Sequence, residues 1–477
     1  MKGADRANLS RLREETLAEE AASSTEPLSI RVSPHGYLTA LLLSTFLSAL
    51  LFYLELDIAG FAVFAISWIL IPFLALGDKI IFDGKRLIRS GLVPRAWNWF
   101  NRSRRQLRLY DIEQVETQAI RAARRGGNIF YRYRTTFRGK GSCLTIASGG
   151  DDFRRILPSV LTKLPENALD IRSAELRDHL AEPKEVLTRA EFARIPSAEV
   201  LEGTMRAAVR HRIDKDQGIR PKSNEDEERA DELQSLANEL RLSGYLLQAL
   251  EAFRRALVLR PKDARLIFEF ARCLHSWAGV SKDRRLERKA IAALRLSERR
   301  AGQDTGLLNQ IAESYFQIGD GKRAGAVFQN VLDRFGDNFA AARGMAELAL
   351  REGKIAHVIH HFASANRAAG TPSLRRWSRN ETDYFSRLHD DEEYMEMEIG
   401  RVNLLETVET SKGTALRIAF IAFPLIIFGL IADDNLVADI GWAVSTVSLL
   451  IWVGLMVTGR MLSQRIPYEI VHDRADH

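Results

Sequence analysis

Only two cysteines, Cys143 and Cys273, occur in 477 residues, and neither has a second thiol nearby. Without paired spacing they imply neither a disulfide framework nor a zinc site, and the expectation is two free thiols, buried or half-buried. The sequence also lacks a nucleophile–base pair, a glycine-rich phosphate loop and any metal-ligand spacing. These absences argue against an enzyme, a resident cofactor and a small-molecule substrate. A secretory signal is missing too: residues 1–36 are polar and mixed in charge, and no small-residue cleavage site follows the first apolar run. That segment is expected to be disordered, with a short helix around Leu9–Ala21. The net charge of +6 is modest for the length, so the whole chain does not read as a nucleic-acid binder.

What is present is apolar sequence in four runs, each near the roughly 20 residues a bilayer core requires. They are Tyr37–Leu54, Ile58–Leu76, Ala415–Ala432 and Ile440–Thr458. The loop inside the first pair holds Glu55 and Asp57, and the loop inside the second holds Asp433, Asp434 and Asp439, with no Lys or Arg in either. The outer flanks are basic: Lys79, Lys85, Arg86 and Arg89, then Lys412, Arg460 and Arg465. The positive-inside rule therefore predicts two hairpins in an inner (cytoplasmic) membrane, with both termini and the entire middle cytoplasmic. Arg417 lies inside the third run and would snorkel to the headgroups. Pro72 and Pro424 read as kinks. No run carries a pair of ionisable residues, which leaves transport unsupported.

Residues 79 to about 163 carry short strand-like runs broken by turn residues: Lys79–Phe82, Leu87–Ile88, Asn128–Tyr133 and Ser142–Ala147. A helical pattern of Phe153, Ile156, Leu157, Val160 and Leu161 follows. Together with Asp111-Ile112-x-x-Val115-Glu116, this order resembles the bacterial pleckstrin-homology-type domain. The resemblance implies a membrane-proximal β scaffold, not an enzyme. Between Lys79 and Lys140 there are 16 Lys or Arg against 4 Asp or Glu. Arg102, Arg104, Arg105 and Arg108 form one cluster, and Arg121, Arg124 and Arg125 another. Each basic residue near an anionic leaflet contributes roughly 1 kcal/mol of attraction, so these seven are the candidate lipid-facing residues. A nucleic-acid footprint is the rival reading, and no recognition motif supports it. Trp97, Trp99 and Phe100, beside the first cluster, read as sheet core or as headgroup anchors.

From about 165 to 228 the pattern is helical and charged, ending in the polar stretch Asp214–Arg229; no chemistry is evident, and His179 and His211 read as solvated. From about 230 the chain repeats itself. Ala312 and Ala346, Gly319 and Gly353, and Phe328 and Phe362 are each 34 residues apart. Ala237, Gly244, Phe253 and Pro261 give an earlier copy. This resembles the tetratricopeptide repeat, which implies stacked antiparallel helix pairs with a concave face lined by first helices. On helical spacing that face comprises Gln234, Asn238, Arg241, Phe268, Arg272, His275, Asn309, Glu313, Phe316, Arg343, Glu347 and Arg351, a mixture suited to an extended peptide or a protein helix. A second copy near Ala264 is seven residues too long, and Ser276–Arg285 reads as an inserted loop. His357 and His361 lie four apart, but a solvated helix face accounts for them better than a metal. Residues Pro372–Val408 read as a further helix capping the last repeat, with an acidic patch, Asp390 to Glu398.

The expected architecture is thus a multi-domain membrane protein with four transmembrane α-helices, a small β domain with a C-terminal helix, and an all-α tetratricopeptide-repeat solenoid. Its divisions are a disordered N-terminus (1–36), hairpin 1 (37–76), the basic β domain (77–185), a linker (186–229), the repeats (230–371), a connecting helix (372–413), hairpin 2 (414–459) and a tail (460–477). The function expected is a scaffold recruiting cytoplasmic protein or peptide partners through the groove, or alternatively a regulator sensing anionic lipid through the basic β domain.

Overall fold

The computed structural model describes residues 28–95, 106–123, 129–140, 142–148, 151–180, 183–198, 200–201, 224–432 and 434–466. The expected helix around Leu9–Ala21 lies outside them. Two compact units result, one of residues 1–42, 67–352 and 361–379, the other of residues 43–66, 353–360 and 380–477.

The first unit opens on a strand, β1 (Leu28–Arg31), which corrects the expectation of disorder through residue 36. Its alternation puts Ile30 inward, but four residues are too few to announce a strand, and its partner lies some fifty residues on. Two apolar helices intervene, α1 (His35–Tyr53) and α2 (Asp57–Gly77), and the chain then returns as β2 (Lys79–Phe82), antiparallel to β1. The helical hairpin is therefore inserted into a β-hairpin. Its root is fixed at Asp78, which is fully buried and accepts from the Tyr37 hydroxyl at 2.8 Å and from Arg89 Nη2 at 2.6 Å.

Strands β3 (Arg86–Ser90) and β4 (Gln106–Arg108) complete one sheet in the order β1-β2-β3-β4. A 3₁₀ turn at Leu109–Asp111 leads to the second sheet of β5 (Gln114–Ala123), β6 (Ile129–Gly139) and β7 (Ser142–Ala147). The two inner faces meet through Ile80, Leu87, Leu107, Ile112, Val115, Phe137 and Ile146, all at most 2 % exposed. Helix α3 (Asp151–Leu161) closes the sandwich with Phe153, Ile156, Leu157, Val160 and Leu161. These are the five apolar positions that the 3.6-residue period marks, and burying each is worth roughly 1.5–3 kcal/mol. Another helix, α4 (Ile171–His179), is capped by Asp170, whose side chain accepts from Ser173 N; its Leu176 joins the same core.

The expected linker is only partly one. Helices α5 (Pro183–Thr188) and α6 (Ala190–Ala193) follow α4, and Val186, Ile195, Ala198 and Leu201 are buried in the core of the first repeat. Four helix pairs then run in order: α7 (Asn224–Ser243) with α8 (Leu246–Leu259), α9 (Ala264–Ser281) with α10 (Arg284–Arg300), α11 (Thr305–Ile318) with α12 (Gly321–Phe335), and α13 (Phe339–Arg351) with α14 (Ile355–Ala368). Gly244, Gly319 and Gly353 take positive φ where their first helices end, a backbone shape a Cβ resists. The long second pair holds no inserted loop. Its seven extra residues lengthen both helices, and Lys282 turns the chain in the left-handed region. Seven residues are close to two helical turns, one per helix, so the apolar stripe keeps its phase.

Helix α15 (Pro372–Asp390) begins in the first unit. In the second unit α16 (Glu392–Ala432) is one continuous helix of 41 residues, about 60 Å long. The expected boundary between connecting helix and third apolar run therefore does not exist as a break. Its partner is α17 (Asn435–Leu462). The two pack closely because a Cβ at Gly429 would lie 2.5 Å from Ala438 N, and one at Gly441 2.8 Å from Ile426. Trp442 stacks on Tyr53, whose hydroxyl donates to Asp439 at 2.8 Å. Below the apolar stretch Glu398 is buried, accepting from Ile466 N at 2.7 Å and pairing with Arg401. Among the described residues four helices, α1, α2, α16 and α17, are long and apolar enough to cross a membrane. Their outward side chains, such as Ile58, Ile421 and Ile431, are uncovered.

Candidate functional site

The twelve residues expected to line the concave face come from the first helices of the four pairs, three from each of α7, α9, α11 and α13, and neighbouring helices join through them. Gln234 Nε2 and Asn238 Nδ2 each donate to Glu269 of α9 at 2.8 Å. Asn309 donates to Asn338 at 3.1 Å, at the start of α13. Arg351 lies 3.5 Å from the Phe316 ring centroid, and Arg343 5.4 Å from that of Trp377. Phe268 is buried and packs under Arg272.

The face is not empty. Helix α4 crosses it, and Glu175 inserts between the first two repeats. Arg241 grips that carboxylate with both arms of its fork, Nη2 to Oε1 at 2.9 Å and Nη1 to Oε2 at 3.1 Å. Arg272 pairs with the same Oε1. All three side chains are nearly sealed from solvent, the most exposed at 13 %. Burial alone would raise the Glu175 pKa, but Arg241 and Arg272 outweigh it and hold the carboxyl below its ordinary value. The contact continues along the array. The β6 Tyr133 hydroxyl donates to Leu242 O at 2.6 Å, and Ala168, just before α4, packs with Phe339, Ala342 and Leu374 near the fourth pair. Sheet, α4 and repeats therefore share one interior, and Arg241 and Arg272 are committed within the chain.

Glu313, in the middle of the stripe, is half-buried without an ionic partner within 4 Å among the described residues. Burial pushes its pKa up to about 7, Arg343 opposing and Asp170 and Glu347 reinforcing. Because its pKa is raised in the folded state from an ordinary 4.5, Glu313 stabilises most below pH 4.5, and that contribution is lost as pH rises toward 7. Glu313→Gln is therefore expected to leave stability unchanged near pH 4.5 and to raise it by about 1–3 kcal/mol at pH 8, read from thermal unfolding at both values. A variant equally stable or weaker at pH 8 would contradict this.

Part of the face remains open. A cavity of about 220 Å³ lies beside Arg272, lined by Arg172, His275, Ser276, Ser314 and Gln317. Ser314 Oγ is buried there without a hydrogen-bond partner among the described residues. Further along, Phe316, Glu347 and Arg351 are reachable from solvent.

Sequence reasoning missed Glu175, Asp170 and Glu269. Glu269 follows Phe268 on a helix whose face was already assigned, and nothing marks Glu175 apart from its neighbours in a charged segment. Of the basic clusters only Arg108 is fully described; it reaches the Tyr110 hydroxyl. Arg102, Arg104, Arg105, Arg124 and Arg125, the side chain of Arg121, and Trp97, Trp99, Phe100 and His211 lie outside the described residues. His179 is half-buried rather than solvated, and burial lowers its pKa. Cys273 is buried, but Cys143 is exposed, unlike the expectation for both. His357 and His361 lie on α14 with no third metal-ligating side chain gathered near them among the described residues.

No protein-family profile matches the sequence, and no curated protein matches it significantly. Solved structures show partial likenesses. MamA shares 12 % identity with a TM-score of 0.25, covering 39 % of this chain and 95 % of that one. The Pseudomonas aeruginosa pilF structure shares 14 % with a TM-score of 0.29, covering 49 % and 99 %. The P58(IPK) TPR domain shares 15 % with a TM-score of 0.19, covering 66 % and 75 %. Scores this low carry no argument about function. The repeat fold rests on this chain's own helix pairs and their 34-residue spacing, which resemble the tetratricopeptide kind.

Proposed function

We propose that this chain is a non-enzymatic scaffold anchored in a bacterial inner membrane, holding a helical-repeat array in the cytoplasm where it recruits protein partners. The observation that carries the reading is the attachment of four stacked helix pairs, within one chain, to four helices long and apolar enough to span a bilayer. Acidic hairpin tips and basic flanks support the orientation with both termini cytoplasmic. The arrangement of a four-stranded and a three-stranded sheet closed by one helix is consistent with a pleckstrin-homology-like β scaffold that lies in the chain between the first two apolar helices and the repeats. Partners dock where the repeat face is still open, between the cavity at His275 and Ser314 and the Phe316–Arg351 pair, because the Arg241 end is filled from within.

Cross-linked capture from native membranes tests this. Phe316→Ala with Arg351→Ala is expected to lose at least one partner that the wild type retains, while the variant stays in the membrane fraction at normal level. Retention of every partner would remove the repeat face from the mechanism. Protease added from the periplasmic side is expected to leave residues 79–412 intact; cleavage there would reverse the orientation.

A further inference from the structure

A cavity of about 690 Å³ lies outside the repeat face. One wall is the β2–β3 turn with Asp83, Gly84, Lys85 and Arg86; another is the end of β4 with Arg108 and Tyr110; Lys163 beyond α3 and the start of α15 at Thr371–Ser373 close it. We infer that this cavity binds an organic phosphate, because cations from three separate elements, Lys85, Arg86, Arg108 and Lys163, converge on it with Asp83 as the one carboxylate in its lining.

The turn is held rigid. Asp83 accepts from Lys85 N at 3.2 Å and Arg86 N at 3.0 Å, and Gly84 takes φ +82°. Arg86 is paired with Asp83 at 2.6 Å, and among the described residues Lys85, Arg108 and Lys163 have no carboxylate partner in the lining. Lys163 is positioned by Gly84 O at 3.1 Å and by the Phe82 ring beneath it, which uses one of its three ammonium hydrogens. Tyr110 is 59 % exposed at the rim and offers a flat ring for stacking. Leu109, Pro165 and Pro372 supply apolar wall, and the Thr371 and Ser373 hydroxyls, bonded to each other at 3.1 Å, leave one further hydroxyl donor. Convergent cations, an aromatic face and a hydroxyl within a volume typical of ligand sites fit a phosphate ester carrying a ring better than a bare inorganic ion. Lys and Arg provide the charge-assisted bonds such a group needs. The same phosphate chemistry belongs to lipid headgroups. However, α2 joins β2 at Lys79, whereas the cavity lies at the other end of that strand, beyond Phe82, which favours a soluble ligand.

The test uses the full chain in nanodiscs of zwitterionic lipid, with ADP and pyrophosphate as probes in calorimetry at low salt. Saturable one-to-one ADP binding is expected, weakened at least about tenfold by Arg108→Gln with Lys163→Gln. Neutralising the distant, exposed Arg254 and Arg288 is expected to change nothing. Lys85→Gln, whose exposed side chain lies at the tip of the turn, gives a second reading if the double variant unfolds. Discs containing phosphatidic acid separate the sources: unchanged ADP affinity identifies a soluble phosphate, and competition lost in the variant identifies the headgroup. No saturable binding of ADP or pyrophosphate together with no effect of phosphatidic acid would overturn the inference, as would ADP binding indifferent to the variants.

Discussion

Replacing Glu175 with alanine is expected to cost about 3–5 kcal/mol and to loosen the whole first unit, because two guanidinium groups would be left facing one another in an enclosed space. Arg241 and Arg272 both spend hydrogen bonds on that carboxylate, and with side chains only 7 % and 13 % exposed neither is well solvated once it is gone. Isolated surface pairs are worth little, so the size of the effect separates an interior clamp from a solvated contact. The loss should be nearly independent of salt, since burial shields the cluster from screening. Hydrogen exchange in α7, α9 and the β5–β6 pair should rise together, as α4 links sheet to repeats. The carboxyl is held below its ordinary 4.5 in the folded state. Its contribution is therefore present above pH 4.5 and lost as pH falls through the depressed value, so wild type and variant should converge in acid. A variant within about 1 kcal/mol of wild type at pH 7 would show that the triad is not closed in solution.

Gly139→Val is the second large effect expected, at about 3 kcal/mol or more, at the upper end of overpacking costs. A Cβ at this position would overlap the Asp111 carbonyl oxygen and lie 2.8 Å from its carbon. Both obstacles are backbone, which cannot step aside as a flexible side chain can. Asp111 belongs to the 3₁₀ turn joining the two sheets, and its buried carboxylate is held by Lys140 at 2.6 Å and reached by Arg376 at 3.4 Å. Displacing that turn disturbs the sandwich and its tie to α15. Thermal unfolding reads the loss, and Gly139→Ala should show a smaller version of it. An alanine variant with unaltered unfolding and exchange would mean that β6 can shift away from the turn at no cost.

The parts of the fold legible in the sequence were those with strong local periodicity. The four apolar runs became four apolar helices, the 34-residue spacing became helix pairs, and Phe153, Ile156, Leu157, Val160 and Leu161 became the buried face of α3. The missed elements are those whose stability is non-local. Strand β1 has no meaning until β2 pairs with it across an inserted helical hairpin. The seven extra residues near Ser276 look like a loop because comparison with the other repeats shows length alone, not that two added turns preserve phase.

By itself the sequence determined which faces of the repeat helices look inward, because a helix's period fixes the angular position of every side chain on it. It thereby assembled Asn238, Arg241, Arg272 and Arg343 into one stripe. Only the tertiary structure decided that this stripe is partly occupied by the chain's own Glu175. A carboxylate some 66 residues before Arg241 and 97 before Arg272 becomes their partner through the docking of separate layers, and no local pattern encodes that distance.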